Sequence, residues 1–250
     1  MCTAIAILAR MNSSRLPNKH FCEINNGFAI DILINRLISE FYDEISRDNI
    51  AIYIATGDRE KNASFGSLLS RYSLPISVFY GDAHNIPNRL LQLVCSEEKK
   101  SVISIDGDDI LISPKSVRGV YQLLSSGNNQ VRSVGLPLGM NASGFSKKCL
   151  ASLKKNSTHG VLDTGWGDVF NGDTWTEISF DHKDDRLRMT LDYPEDLDFF
   201  NAVCNLIPNF SRLDDITLIR EIISKEIFLI NTGKAAEYWR NFHENKQTRE

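Results

Sequence analysis

The sequence predicts an α/β fold in which a mostly parallel β-sheet is flanked by helices. Apolar, β-branched runs alternate with amphipathic helical patterns through the first half of the chain. Strands that alternate with single helices imply right-handed crossovers, which place neighbouring strands in parallel. A length of 250 residues is enough for one substantial core. We therefore expect one Rossmann-like domain over residues 1–250 rather than two independent domains.

The elements of the first half follow from the spacing of apolar residues and from turn signals. Within residues 29–42, apolar side chains recur every three to four positions from Ile30 to Phe41. Ser113 and Pro114 form a typical N-cap and first-turn proline, so a helix begins there and ends near Gly127. The predicted strands are residues 4–8, 49–56, 76–80 and 101–106, and the other predicted helices are residues 29–42, 59–72 and 86–98.

The regular alternation breaks at residue 135 and returns near residue 186. Residues 135–185 are irregular and rich in Gly, Asn and Asp. We interpret them as a small inserted segment that faces a substrate and contacts a second copy of the chain in a homodimer. Beyond the insertion, the pattern predicts a strand over residues 186–191 and helices over residues 194–206 and 214–225.

The composition argues against several classes of protein. Hydrophobic residues make up 42% and charged residues 24% of the chain, as in soluble globular proteins. The net charge of −4 argues against a general nucleic-acid binder. The N-terminal apolar run is too short for a membrane span and lacks the layout of a signal peptide. The five cysteines are scattered with no C-x-x-C pair, which indicates reduced thiols in a cytoplasmic protein.

A basic, hydroxyl-rich loop follows the first predicted strand. Residues 9–19, with the sequence ARMNSSRLPNK, contain Arg10, Arg15 and Lys19 together with Ser13 and Ser14. The carboxyl end of a parallel strand is a common place for phosphate binding, where cations offset charge and hydroxyls and amides donate hydrogen bonds. The alternative is a solvated basic loop with no ligand, because short motifs also occur by chance.

Two acidic stretches follow later predicted strands. Asp106, Asp108 and Asp109 lie at the end of the strand over residues 101–106, and Asp192 comes directly after the strand over residues 186–191. Crowded carboxylates repel one another unless a cation intervenes, and Mg²⁺ prefers oxygen ligands and bridges phosphates. The alternatives are an acidic turn in the first stretch and an ordinary helix start at Pro194 in the second.

The loop over residues 9–19 resembles a motif of sugar-activating nucleotidyltransferases, above all the cytidylyltransferases. In that family the pattern A-R-x-x-S-x-R-L-P-x-K wraps the triphosphate of CTP. The most similar groups are the spore-coat polysaccharide type and the acid-sugar type, which activates sialic acids and 3-deoxy-octulosonate. The resemblance implies a fold of the nucleotide-diphospho-sugar transferase type. It also implies that six loop residues bind the nucleotide: Ala9, Ser13, Ser14, Arg10, Arg15 and Lys19. Of these, Arg10, Arg15 and Lys19 would also be catalytic.

The chain departs from the loop pattern at two positions. Asn12 and Asn18 stand where the family usually has glycine. Because asparagine tolerates the left-handed backbone better than most residues, we expect the loop to keep its path.

The resemblance extends to both acidic stretches. Gly107 and Asp108 match the family's G-D-x-P-L-I motif, with Ile110 in place of the proline. Residues 188–197, with the sequence RMTLDYPEDL, closely match the later motif R-x-T-V-D-T-P-E-D-L. By this resemblance Gly107 lies beside the nucleotide, and Asp108 and Asp192 hold Mg²⁺.

A weaker part of the resemblance concerns the base of the nucleotide. Thr56 ends the second predicted strand, where the family has residues near the base and ribose. Gly81 with Arg89 fits a family element that helps to recognise cytosine. The alternative for Arg89 is a surface position on its predicted helix.

In the region that contacts the acceptor in the family, we assign Asn141, Trp166 and Arg188. Trp166 would either stack on a substrate or fill the core of the insertion. Six basic residues surround this region: Arg132, Lys147, Lys148, Lys154, Lys155 and His159. They would suit an anionic acceptor, but for most of them a solvated helix face is the simpler interpretation.

These observations favour a Mg²⁺-dependent cytidylyltransferase. It would transfer CMP from CTP to an anionic sugar acid, or to a related phosphate or phosphonate, and release pyrophosphate in the biosynthesis of a surface polysaccharide. Such a reaction needs positive charge around the triphosphate and the leaving group, which the loop over residues 9–19 supplies.

Two alternatives stay open. A glycosyltransferase would use Asp106 and Asp108 as a D-x-D metal motif with a nucleotide-sugar donor. A catalytically silent nucleotide-binding protein would account for Asn12, Asn18 and Ile110. The sequence signatures of zinc proteases, serine hydrolases, P-loop NTPases and dinucleotide-binding dehydrogenases do not occur.

Overall fold

The computed structural model describes residues 2–156, 161–163, 165–170, 174–234 and 240. Its strands are β1 (Thr3–Leu8), β2 (Glu23–Ile24), β3 (Gly27–Phe28), β4 (Ile50–Thr56), β5 (Ile76–Tyr80), β6 (Ser101–Asp106), β7 (Gln130–Val134), β8 (Ser143–Ser146) and β9 (Thr176–Ser179). Its α-helices are α1 (Ala29–Ser46), α2 (Phe65–Leu68), α3 (Ile86–Ser96), α4 (Pro114–Ser125), α5 (Lys147–Asn156), α6 (Pro194–Leu206) and α7 (Asp215–Ser224). Short 3₁₀ turns occupy Lys19–Phe21, Leu69–Arg71, Trp166–Phe170, Phe210–Arg212 and Ile227–Ile230.

A mostly parallel sheet forms the centre of the described structure. Its seven strands run in the order β5-β4-β1-β6-β8-β7-β9. Strand β1 pairs in parallel with both β4 and β6, and β4 pairs in parallel with β5. Among the described strands of this sheet, only β8 runs antiparallel to its neighbours. The predicted fold class is therefore confirmed.

Side chains of β1 alternate between two apolar layers. Ile5 and Ile7 pack into the layer that includes Leu33 of α1, whereas Ala6 packs into the layer that includes Leu90 of α3. Every residue of β1 is buried, because helices cover both faces of the sheet. The strand is thus a rigid support for the loop that follows it.

The prediction of a helix over residues 59–72 was largely wrong. Only Phe65–Leu68 is α-helical, and the 3₁₀ turn Leu69–Arg71 follows it. Side-chain hydrogen bonds compete with helix formation in the first part of this stretch. Asn62 Nδ2 donates to Asp58 O at 2.7 Å, and Asn62 Oδ1 accepts from Met11 N at 3.0 Å.

The predicted strand over residues 186–191 does not join the sheet. It makes one isolated bridge, between Leu138 and Arg188, and otherwise pairs with loops. Met189 N donates to Leu138 O at 2.8 Å, and Leu191 N donates to Asp108 O at 2.9 Å. The alternation of apolar residues here reflects burial beneath those loops rather than membership of the sheet.

The insertion is more regular than its sequence indicates. Strands β8 and β9 both lie within residues 135–185, and both belong to the central sheet. Helix α5 follows β8 directly. Among the described residues, no helix combines the length and the apolar composition that crossing a membrane requires.

Candidate functional site

A cleft of about 490 Å³ opens where β1 and β6 end. The sheet register pairs Leu8 with Asp106, so the loops that follow the two strands begin side by side. Most of the residues assigned from the sequence line this cleft: Ala9, Arg10, Ser13, Ser14, Arg15, Lys19, Arg89, Asp108, Trp166 and Asp192.

The loop over residues 9–19 is shaped by two local features. Ser13 Oγ accepts a hydrogen bond from Leu16 N at 3.3 Å, which closes a turn. Asn18 adopts the left-handed conformation, with φ 54° and ψ 29°, and the 3₁₀ turn Lys19–Phe21 follows at once. Asn12 is not among the residues with positive φ. The expectation that asparagine preserves a left-handed backbone therefore applies to Asn18 and not to Asn12.

Lys19 joins this loop to both acidic stretches. Its ammonium group contacts Asp108 Oδ2 and donates to Asp192 Oδ1 at 2.9 Å. Arg15 Nη2 donates to the same oxygen of Asp192 at 2.7 Å. The carboxylates of Asp108 and Asp192 thus share one cation, and the basic loop faces them directly.

The ion pair of Lys19 and Asp192 is charged at neutral pH. Burial opposes ionisation of Asp192, but the charges of Lys19, Arg15 and Arg188 outweigh it and lower the pKa of this carboxyl to about 2. Burial also opposes the charge on Lys19, yet Asp108 and Asp192 raise the pKa of its ammonium above the ordinary value. The side chains of Lys19 and Asp192 are only 11% and 3% exposed, so solvent screens their attraction weakly.

Two further carboxylates lie beside Asp108 in the lining of the cleft. Asp106 faces the open cleft. Its pKa is raised to about 7, mainly because the surrounding protein removes solvation from the charged form, and secondly because of the charge of Asp108. Burial and then the charges of Asp108 and Asp106 raise the pKa of Asp109 well above its ordinary value. Both carboxyls therefore keep their protons more readily than usual, because ionising them beside Asp108 would crowd like charges, and a bound cation would relieve that repulsion.

The donor set suits a hard divalent cation. Mg²⁺ in nucleotide-binding proteins usually takes one or two carboxylates together with phosphate oxygens and water, rather than a complete protein cage. Asp108 and Asp192 supply two such carboxylates. Within the part of the chain that the structure describes, no group of three or more His, Cys, Asp or Glu side chains is placed to hold a metal. These residues fit a cation that takes part of its ligands from a bound phosphate. They fit a permanent metal centre, with all ligands from the protein, less well.

The position of Arg188 corrects its assignment to acceptor binding. Its side chain is 1% exposed and lies behind Asp192, where Nη2 donates to Asp192 Oδ2 at 2.9 Å. Arg188 Nε donates to Asp196 Oδ1 at 3.1 Å, and Asn231 Nδ2 donates to the same oxygen at 2.8 Å. Arg188 is thus a buried positioning residue for Asp192.

Four other assigned residues also lie outside the lining of the cleft. Thr56 is fully buried, and its carbonyl accepts from Gly81 N at 2.9 Å. Gly107 packs so closely on the end of β1 that a Cβ atom would lie 2.8 Å from a backbone oxygen. Asn141 Nδ2 donates to a carbonyl of its own loop at 3.1 Å. We infer that these residues shape the loops around the cleft.

Arg89 is buried in the wall of the cleft and not on a helix surface. Its guanidinium donates to the carbonyl oxygens of Asp82, Ala83 and Ala55 at 2.7, 3.2 and 3.4 Å. Burial lowers the pKa of Arg89 despite the opposing charge of Asp82. A cation held mainly by neutral carbonyl groups at a cleft is well placed to attract an anion.

The insertion closes one side of the cleft. Leu162 N donates to His84 O at 2.7 Å, and Ile86 N donates to Leu162 O at 3.0 Å, which fixes the segment to the start of α3. The next residue, Asp163, accepts from Arg10 Nη1 at 3.2 Å. The insertion and the basic loop therefore meet across the cleft.

Trp166 packs in the core of the insertion and also lines the cleft. Its ring lines the cleft and also packs edge-on against Phe145 and Phe170, with centroid distances of 5.8 and 6.1 Å. An aromatic ring held this way is a rigid wall on which a sugar or a base can rest.

The described basic residues of this region lie outside the lining of the cleft. Arg132 pairs with Glu177 at 2.8 Å, and Lys147 and Lys148 are exposed at the start of α5. His159 and the side chains of Lys154 and Lys155 fall outside the described residues. The cations that line the cleft come instead from the basic loop and from Arg89.

Three polar residues that line the cleft have no role assigned from the sequence: His20, Asp163 and Thr190. Burial and then the charge of Lys19 lower the pKa of His20 to about 3, so its ring is neutral. A signal for His20 existed, since it directly follows the motif that ends at Lys19. The pairing of Asp163 with Arg10 had no such signal, because the two residues are 153 positions apart.

Comparisons with known proteins identify the family and the fold of this chain. The family model described as cytidylyltransferase matches residues 4–158, which is more than half of the chain. A curated relative is the spore coat polysaccharide biosynthesis protein SpsF of Bacillus subtilis (strain 168), which is 26% identical over 137 residues. The match covers 54% of this chain and 55% of that protein, so the chain spans about half the length of this relative.

Solved structures share the fold. A cytidylyltransferase from Leptospira borgpetersenii serovar Hardjo-bovis (strain JB197) has a TM-score of 0.79 at 18% identity and covers 92% of this chain and 97% of its own. A CMP:2-keto-3-deoxy-manno-octonic acid synthetase complexed with CTP has a TM-score of 0.61 at 12% identity, with 82% and 99% covered. At these identities the likeness concerns the fold, and it agrees with the mostly parallel sheet predicted from the sequence.

Proposed function

This chain belongs to the cytidylyltransferase family, and we propose that it is a nucleotidyltransferase that transfers CMP from CTP to an oxygen of a small acceptor and releases pyrophosphate. One observation carries the proposal. Lys19 of the basic loop lies between Asp108 and Asp192, so three separate stretches of the chain meet at one point of the cleft. A solvated basic loop or an isolated acidic turn would not need that convergence.

In the proposed reaction the loop over residues 9–19 holds the triphosphate. Arg10, Arg15 and Lys19 offset the negative charge of the phosphates and of the leaving pyrophosphate. The hydroxyl groups of Ser13 and Ser14 add hydrogen bonds. Asp108 and Asp192 would hold Mg²⁺, which when bound would neutralise phosphate charge and polarise the α-phosphate.

The acceptor that we propose is an anionic sugar acid, or a related phosphate or phosphonate. The fold is shared with a synthetase that acts on such an acid, and the relative SpsF is a polysaccharide biosynthesis protein. Within the cleft, the side chain of Arg10 is 52% exposed, against 35% for Arg15 and 11% for Lys19. Arg10 is therefore the most accessible of these three cations for an acidic group beside Trp166.

We propose that residues 135–185 bind this acceptor and contact a second copy of the chain. Asp163 and Trp166 of this segment already line the cleft. The size of the assembly would be measured by sedimentation velocity.

The deciding experiment offers each of the four nucleoside triphosphates with Mg²⁺ to the protein, together with a panel of sugar acids, phosphates and phosphonates. Of the four nucleoside triphosphates, we expect only CTP to release pyrophosphate, and we expect a CMP-linked product with one class of acceptor. Hydrolysis of a nucleotide sugar without release from any triphosphate would instead indicate a glycosyltransferase. Tight binding of CTP without turnover on any acceptor would indicate a catalytically silent protein.

A further inference from the structure

The ammonium group of Lys19 lies where the two carboxylates of the proposed metal site come together. It contacts Asp108 Oδ2 and lies 2.9 Å from Asp192 Oδ1. A divalent cation bound by the same two carboxylates would therefore meet a positive charge of the protein itself.

The carboxylate of Asp192 is already saturated by cations. Its Oδ1 atom accepts from Lys19 and from Arg15, and its Oδ2 atom accepts from Arg188. Arg188 cannot leave, because it is buried and also bound to Asp196. Lys19 and Arg15 belong to the loop that faces the cleft, and their side chains are long enough to turn towards another anion.

We propose that Lys19 is an exchange cation. In the nucleotide-free protein it neutralises Asp108 and Asp192, and when a triphosphate binds it moves to the phosphates and leaves these carboxylates to the divalent cation. The nucleotide half of this inference rests on the function proposed above. The consequence is that the metal and the nucleotide each bind better in the presence of the other, by the same factor, because binding free energies are linked reciprocally.

Mn²⁺ is the probe of choice, because its free concentration is measured directly by electron paramagnetic resonance. Nucleotide-free protein is titrated as wild type, Lys19→Met and Lys19→Arg, with Arg10→Gln as a control that removes a charge from the same cleft. We expect Lys19→Met to bind Mn²⁺ roughly tenfold more tightly than wild type, which is a typical coupling between two sites. Lys19→Arg keeps the charge, so it should bind Mn²⁺ as weakly as wild type. Arg10→Gln should change the affinity by less than about threefold, since Arg10 pairs with Asp163 and not with these carboxylates.

Equal or weaker Mn²⁺ binding by Lys19→Met would overturn the proposal, as would an equal gain in Arg10→Gln. Folding of each variant is checked by circular dichroism with and without Mn²⁺. If Lys19→Met folds only when Mn²⁺ is present, the metal has replaced the ammonium group, and the proposal is supported. If the variant stays unfolded at saturating Mn²⁺, a divalent cation cannot take the place of Lys19, and the proposal is wrong.

The titration is independent of turnover. Tighter Mn²⁺ binding in Lys19→Met without any CTP turnover in wild type would support the exchange and contradict the proposed reaction. Turnover of CTP in wild type with unchanged Mn²⁺ binding in Lys19→Met would support the proposed reaction and contradict the exchange.

Discussion

Arg188 holds Asp192 from the interior of the protein, with Nη2 donating to Oδ2 at 2.9 Å. The other oxygen of the same carboxylate faces Lys19 and Arg15 at the cleft. Asp192 thus connects a buried polar network to the basic loop. Asp196 completes that network by accepting from Arg188 and from the backbone N–H groups of Asp192 and Tyr193. Groups satisfied in this way are held rigidly, as the metal-binding role proposed for Asp192 requires.

We expect Arg188→Gln to destabilise the protein and to slow the reaction. Removing one partner of a buried ion pair leaves an uncompensated charge, which typically costs about 3–5 kcal/mol. The measurement is urea unfolding followed by circular dichroism, together with the turnover number for CTP. Arg188→Lys keeps the charge but not the planar guanidinium group. Its unfolding free energy and its turnover number should lie between those of Arg188→Gln and wild type.

Arg186→Gln is the matched control for Arg188. Its pair with Asp184 lies at the surface, where the Arg186 side chain is 59% exposed, so little change in unfolding free energy is expected. Equal destabilisation by both variants would contradict the positioning role of Arg188.

Asp192→Asn should abolish most of the activity while leaving the fold intact. The amide cannot offset a cation in the cleft, and we expect turnover to fall by roughly 10²–10³-fold. The fold should persist because Lys19 retains Asp108 and Arg188 retains Asp196. Pyrophosphate release and far-UV circular dichroism are measured on the same preparation. Asp184→Asn, outside the cleft lining, should retain activity, and wild-type turnover in Asp192→Asn would remove the assignment of Asp192.

The part of the site that the sequence revealed is the part encoded by local patterns. The basic loop and the acidic stretch at Asp108 each follow a strand with a clear apolar pattern, and parallel strands end at the same edge of a sheet. Their convergence could therefore be predicted without knowledge of any long-range contact.

Other features depended on partners that the sequence does not name. An arginine between apolar residues, as at Arg188, is equally compatible with a surface position or with burial against two carboxylates. The ion pair of Arg10 and Asp163 joins the loop to the insertion across 153 positions. Most of the helix predicted over residues 59–72 does not form, because the Asn62 side chain hydrogen-bonds to the backbone of Asp58 and Met11. These bonds compete with the backbone hydrogen bonds of a helix.

Asn18 should prefer replacement by glycine to replacement by alanine. Its φ of 54° lies in the left-handed region, where residues other than glycine and asparagine are strained by about 1–2 kcal/mol. Asn18→Ala should therefore lower the free energy of unfolding by about 1 kcal/mol, and Asn18→Gly should be near neutral. Because Lys19 follows directly, Asn18→Ala should also weaken CTP binding, measured by titration calorimetry.

Asn12 provides the comparison for this prediction. It has no positive φ, so Asn12→Gly should gain nothing from conformational freedom and Asn12→Ala should be tolerated. The same ranking of alanine and glycine at both positions would show that the left-handed backbone of Asn18 is not what constrains the loop.

Cys204 should react with alkylating agents much more slowly than Cys95. Cys95 is exposed, whereas burial raises the pKa of the Cys204 thiol from its ordinary value of 9.0 to about 11. The native state therefore holds this proton more tightly than the unfolded state, and stability from this group is lost as the pH rises from about 9 to 11. Mass spectrometry after iodoacetamide treatment at pH 8 should find the label on Cys95 first. Rapid labelling of Cys204 in folded protein would contradict this order.

Asp163→Asn should lower the KM for CTP. Arg10 cannot pair fully with both Asp163 and a triphosphate, so the carboxylate competes with the nucleotide for this guanidinium. A partly exposed ion pair contributes at most about 1 kcal/mol, which limits the gain to about fivefold. Steady-state kinetics at saturating acceptor separate this gain from any change in turnover number. Asp181→Asn removes an exposed charge outside the lining of the cleft and should leave the KM unchanged. A higher KM in Asp163→Asn would mean that Asp163 helps to bind the nucleotide, for example by holding Arg10 in the orientation that the triphosphate needs.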